Sequence, residues 1–260
     1  MNFDKNKLHM VLQLARNDLK SRYANFNLGI IWAFAMPLIT ILVFWFVFEA
    51  GLRNPPVGSV PYILWFSAAY IPWIFFQDLL NTGTNCLMEY SYLVKKIKFN
   101  VAIIPLIKLI SALFVHLFFL IFLLVLYFYY QITFTVYFTQ ILYYSLAMAL
   151  FSLGLIYLFS AFAVFFKDIS SVVNVILQVA FWITPILWNE QTIQNELVAK
   201  ILCINPMYYI VSGFRDSFIN NRWFWERGGE TVYFWIVTSL ALLVGITMFN
   251  KLCPLFADEV

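Results

Sequence analysis

Few side chains in this 260-residue chain could do covalent chemistry, and those few stand far apart. The histidines are His9 and His116. The cysteines, Cys86, Cys203 and Cys253, fall in separate regions with neither metal-like nor redox-like spacing. No glycine is followed by a lysine, so the phosphate-cradling Gly-Lys-Ser/Thr loop is missing, as are His-Glu-x-x-His and Cys-x-x-Cys. Hydrolysis of ATP by the chain alone, metal-assisted chemistry and a resident cofactor are therefore not expected. Ion-coupled transport needs acidic or basic groups deep in a membrane. Here Asp78, Lys108 and Glu49 fall near the ends of apolar segments, where long side chains snorkel. His116 is the one deep ionisable candidate, and a packed, hydrogen-bonded histidine is its simplest reading. Glu226 and Glu230 beside Arg222 and Arg227 form the only cluster that a membrane enzyme acting on lipid-linked sugars would use; solvation of a loop explains them as well.

Two other groups suit binding rather than bond breaking. Thr84 to Tyr92 has the spacing of a short helix that projects Cys86, Leu87, Glu89 and Tyr90, followed by Lys95, Lys96, Ile97 and Lys98. A partner ATPase could grip such a knob; a solvated basic loop accounts for the lysines but not for Leu87 and Tyr90. Aromatic residues make up 20% of the chain. Trp and Tyr gather at membrane interfaces, yet Tyr62, Trp65, Phe66, Tyr70, Trp73, Phe181 and Trp182 fall within apolar runs, where they would either pack or line a conduit. Sugar rings present C–H faces that stack on such side chains.

The elements that position these residues follow from composition. With 63% of residues hydrophobic and 11% charged, the chain lies far from the roughly one-quarter charged average of soluble domains. Its apolar runs approach the roughly 20 residues that cross a bilayer core. Spans are expected at 28–50, 61–80, 103–130, 138–166, 169–188 and 232–250, giving an all-α membrane protein of six transmembrane helices in a single domain. Residues 4–22 form an amphipathic candidate, with Leu8, Val11, Leu12, Ala15 and Leu19 on one face. It is expected to lie in the membrane interface rather than to be a cleaved leader. A cytoplasmic region is expected at 83–100.

Between spans five and six, residues 190–230 are expected to hold two short helices. Leu197, Val198, Ile201 and Leu202 mark the first; Asn205-Pro206 caps the second, with Asn at the cap and Pro at the first helical position. A pair of half-helices dipping into one leaflet and a hairpin lying on the surface fit this pattern equally. Lys5, Lys7, Arg16, Lys20, Arg22, Lys95, Lys96, Lys98, Lys108, Lys167 and Lys251 fall on one side of the six spans. Arg53, Lys200, Arg215, Arg222 and Arg227 fall on the other. This imbalance puts both termini in the cytoplasm.

Several segments, in order, resemble the transmembrane subunits of ABC-2-type polysaccharide exporters, which move O-antigen, capsular polysaccharide and teichoic acid. They are Arg16-Asn17-Asp18-Leu19-Lys20-Ser21-Arg22-Tyr23, Leu28-Gly29-Ile30-Ile31-Trp32 with Pro37-Leu38, and Phe166-Lys167-Asp168-Ile169. Phe181-Trp182-Ile183-Thr184-Pro185-Ile186, Asn205-Pro206-Met207, Phe214-Arg215-Asp216 and Pro254-Leu255-Phe256-Ala257-Asp258 complete the series. Each is weak alone; their order covers the chain almost end to end. Lys167 stands where arginine is more usual.

The resemblance implies a homodimer in the bacterial inner membrane, with two copies of a separate nucleotide-binding subunit that carries the ATP and magnesium. It also implies a coupling helix after span two and re-entrant helices before span six. The implied cargo is a polysaccharide on undecaprenyl diphosphate, with O-antigen favoured, capsule or teichoic acid the alternative, and no role for nucleic acid. Arg16, Lys20 and Arg22 would meet the diphosphate at the entrance; contact with lipid headgroups would explain them equally. An ion-coupled carrier of lipid-linked glycan is the rival of another class.

Overall fold

The computed structural model describes residues 5–52, 56–57, 60–96, 99–190, 193, 195 and 201–259, with side chains from His9 onward. Arg53, Lys98, Leu197, Val198 and Lys200, and the side chains of Lys5, Lys7 and Leu8, lie outside the described residues. Among those described there is no strand; Val57 and Val60 form one isolated bridge.

Helix α1, Lys5–Arg22, buries Val11, Ala15 and Leu19 while Arg16, Asn17 and Lys20 face outward. This is the amphipathic division that the spacing predicts, except that Leu12, expected on the buried face, is exposed. Its buried face rests on α6, Ile103–Tyr129. A 3₁₀ turn at Gly29–Ile31 leads into α2, Trp32–Trp45, which runs on as a π-helical turn through Phe46–Gly51. Only Ala33 and Ile41 of α2 are buried, so it stands at the edge of the bundle.

Helix α3, Tyr62–Thr84, occupies the centre and is buried along nearly its whole length, against α6, α7 (Gln140–Phe165) and α8 (Ile169–Ile183). A helix apolar all round belongs in such a position. Two short helices follow it, α4 at Cys86–Glu89 and α5 at Ser91–Val94. After α8 come α9, Pro206–Arg215, and α10, Gly228–Leu252. Helix α10 packs along α7 through glycines: a Cβ on Gly154 would lie 2.7 Å from the Ala241 carbonyl carbon, and one on Gly245 would strike the Gly154 carbonyl oxygen.

Among the described residues, five helical stretches are long and apolar enough to cross a membrane: Gly29–Gly51, Tyr62–Thr84, Ile103–Tyr129, Val136–Phe165 and Phe224–Glu259. The fifth expected span, 169–188, is the shorter helix α8, which stops at Ile183. Pro185 is the reason. A residue before proline is driven out of the helical region, and Thr184 sits extended at φ −69° and ψ 131°. At 1.5 Å per residue α8 is about 22 Å long, below the roughly 30 Å of a bilayer core.

Candidate functional site

Asp18 is the hub of the α1 end of the bundle. Its side chain is 2% exposed and accepts from the Lys108 Nζ at 2.7 Å, the Tyr90 hydroxyl at 2.8 Å and the Arg22 Nε at 3.0 Å. Lys108, itself buried, also pairs with Glu89, and Arg22 reaches Asp78 at 3.1 Å. Three elements thus converge on one carboxylate: α1, the α4–α5 segment and α6. Burial pushes the Asp18 carboxyl up, but Arg22 and Lys108 outweigh it, and the group stays below the usual carboxylate range. Burial, reinforced by the Asp18 carboxylate, raises the Tyr90 phenol, so it remains a donor.

This arrangement corrects the expectation that Cys86, Leu87 and Tyr90 project outward. All three are buried, packed with Val11 and Ala15 of α1 and Ile104 and Ile107 of α6. The segment forms two short helices broken at Tyr90 in place of the single one expected, and α1 folds back and covers the face these side chains occupy. Burial lifts the Cys86 thiol to about 12. What remains exposed there is Glu89, Tyr92, Lys95 and Lys96. Of the three basic residues expected at the entrance, Arg16 and Lys20 are exposed, whereas Arg22 is mostly buried between Asp18 and Asp78.

The aromatic residues divide in the same way. Tyr62, Trp65, Phe66, Tyr70 and Trp73 are buried in the chain's own core. Tyr62, Phe66 and Tyr70 stack in sequence, the Tyr62 hydroxyl donates to the Leu187 carbonyl at 2.8 Å, and Trp73 donates to Gln77 at 3.1 Å. Their central helix packs on α6, α7, α8 and the helix Pro206–Arg215, which places these rings in the chain's interior. Phe181 is half-buried against Tyr70 and Trp73, and Trp182 points outward, 61% exposed.

Helix α8 carries a feature that aromatic counting misses. Val173 and Leu177 are its buried side chains, with Ile169, Ala180 and Phe181 packed against the core beside them. Its outer face presents Ser171, Asn174 and Gln178 among Val172, Val175, Ile176, Val179 and Trp182. Polar groups at this spacing form one stripe, and polar atoms facing hydrocarbon are costly. The signal was readable as three polar residues at i, i+3 and i+7 in an otherwise apolar run.

At the far end, α9 is buried on all but its first side chains and packs on α3, α7 and α10. That position fits a half-helix inside the bundle better than a hairpin on its surface. Asn205 caps it, accepting from the Met207 N–H at 3.0 Å, and donates to Thr184 at 2.7 Å. Arg215 lies 3.4 Å above the Trp65 ring and donates to the carbonyls of Pro185 at 2.6 Å and Ile186 at 3.1 Å. It thereby satisfies backbone that the break after α8 leaves open. Asp216 turns the other way to Arg227, which also meets Glu230 at 2.8 Å.

A family model described as ABC-2 type transporter matches residues 10–219. The chain is 26% identical over 253 residues to an O-antigen export system permease protein RfbA of Klebsiella pneumoniae, covering 96% of this chain and 94% of that one. It is also 26% identical over 217 residues to an O-antigen export system permease protein RfbA of Myxococcus xanthus, with 82% and 81% covered.

Proposed function

This chain belongs to the ABC-2 type transporter family, and from that premise we propose that it is the permease of an O-antigen export system. It works as a homodimer with two copies of a separate ATPase, in the inner membrane, with both termini in the cytoplasm. Its cargo is a polysaccharide carried on undecaprenyl diphosphate. The observation that carries the cargo assignment is the end-to-end likeness to permeases named for O-antigen export.

The geometry supports a particular division of labour. Residues on α8 give the conduit its surface: Ser171, Asn174 and Gln178 exchange hydrogen bonds with glycan hydroxyls, and Trp182 offers a ring to the sugar C–H faces. Such a wall replaces water contacts without binding any one sugar tightly, which suits a polymer that must keep moving. Arg16 and Lys20 supply positive charge for the diphosphate on the exposed side of α1. Arg22 does not belong with them, because two carboxylates already hold it. Glu89, Tyr92, Lys95 and Lys96 form the face offered to the ATPase.

Deleting the gene in its native host and locating the polymer tests this reading. Lipid-linked polymer trapped inside, with a bare cell surface that the wild-type gene restores, is the expected result. Polymer still arriving at the surface, with no internal accumulation and no redundant exporter, overturns it.

A further inference from the structure

The segment Pro254-Leu255-Phe256-Ala257-Asp258 has no part in the conduit, the entrance or the face offered to the ATPase. Helix α10 ends at Leu252, since Pro254 has no N–H to extend it. A 3₁₀ turn, Cys253–Leu255, then leads into a short helix α11, Phe256–Glu259. Pro254 and Leu255 are exposed, but Phe256 turns back into the protein and is fully buried. Its ring lies 5.2 Å from that of Phe249 on α10, nearly edge-on, and 6.2 Å from that of Phe165 at the end of α7. It belongs to the same buried cluster as Leu93 and Val94 of α5.

The two short helices after α3 are supported unequally. Helix α4 rests on α3, α6 and α7, whereas α5 is backed chiefly by α4 and α11. A helix of four residues is too short to hold itself, so α5 sits where its buried face, Leu93 and Val94, is pressed. Its other side carries exposed Tyr92 and runs on into exposed Lys95 and Lys96. Helix α11 also packs on α7, and the 3₁₀ turn ties it to α10. It therefore bridges α5 to the helix pair whose backbones meet at Gly154 and Gly245. Close-packed interiors are stiff and pass strain on.

We propose that residues 253–259 act as a strut, which sets the position of α5 and passes its displacement to α7 and α10, with Phe256 as the positioning residue for coupling. This role rests on that of α4–α5 as the segment offered to the ATPase. Two properties of the segment suit it. Only the three residues of the 3₁₀ turn separate α10 from α11, which leaves little slack. The fully buried side chain of α11 is an aromatic wedge set against α10 and α7. A displacement of Tyr92 or Lys95 reaches α11 through the buried face of α5, and Phe256 bears in turn on Phe249 and Phe165.

Two glycines inserted between the exposed Pro254 and Leu255 give the link slack and change no buried side chain. The permease–ATPase complex of this variant is expected to assemble, and to hydrolyse ATP, as the wild type does. Surface polymer in the complemented deletion strain is expected to fall about fivefold or more, the lower end of ordinary couplings between distant sites. Phe256→Ala is expected to lower export per ATP hydrolysed as well, and Phe256→Leu, which refills most of the space, to restore it. A segment that only fills the core would tolerate the inserted glycines, and in Phe256→Ala it would lose export and hydrolysis in parallel; either result would overturn the proposal. Loss of the folded complex on insertion would make the segment a purely structural one and overturn it too. A wild-type complex without ATP-dependent export would sink the functional reading itself, and the strut with it.

Discussion

At the residue scale the most consequential side chain is Asp18. Removing one partner of a buried ion pair leaves the other uncompensated, at a cost of about 3–5 kcal/mol. Asp18→Ala is therefore expected to lower the thermal unfolding midpoint in detergent sharply, while Asp18→Ala combined with Lys108→Met recovers part of the loss. The pH dependence follows from the depressed carboxyl. A group whose folded pKa lies below its unfolded value contributes stability that is present above the unfolded value and lost as pH falls through the folded one. Stability of the wild type should decline below about pH 4, near the ordinary carboxylate value, with Asp18→Asn showing a shallower acid slope.

Half of this was legible in the sequence. Asp18 interrupts the apolar stripe of Val11, Ala15 and Leu19, and a charge on a buried face calls for a partner. Lys108 was equally visible as a lone cation in an apolar run. Their pairing was not, because local periodicity carries no information about contacts across 90 residues.

At the element scale α8 and α9 matter most. Replacing Gln178 or Asn174 by Leu removes polar surface from the outer face of α8 without touching Val173 or Leu177, which fasten it. Export, read as surface polymer, is expected to fall severalfold, while the unfolding free energy stays within about 0.5 kcal/mol of wild type, as for substitutions away from packed features. Asn205 joins the two helices, so Asn205→Ala should cost about 1–2 kcal/mol for the lost cap. Asn205→Asp, which keeps the acceptor for Met207 but loses the donor to Thr184, should lie between it and wild type in chemical denaturation. The cap of α9 was readable from Asn205-Pro206. The early end of α8 is also written, in Thr184-Pro185, but the apolar run continues past it to Trp188 and masks it.

At the scale of the whole molecule, the chain is organised around α3, with α2 and the outer face of α8 left on the perimeter. The sequence pointed to an all-helical membrane protein because composition and run length depend on solvent alone. It could not tell an enclosed aromatic helix from a conduit-lining one. Tyr62 and Trp182 look alike in a string of letters and differ only in how many neighbours surround them. The closest helix contact, α7 on α10, depends on the missing side chains of Gly154 and Gly245. Gly154→Leu would force the backbones apart at a cost of at least about 1–3 kcal/mol, and little folded protein should then be recovered from membranes by size-exclusion chromatography.

The buried carboxylate at the α1 end also sets a kinematic condition. Asp18 is held at once by Tyr90 from the α4–α5 segment and by Lys108 from α6, and it sits four residues from the end of α1. The short helices after α3 therefore cannot shift on their own. A push on Glu89 or Lys95 either drags the surface helix along as one rigid part or pulls the Tyr90 hydroxyl off a buried charge.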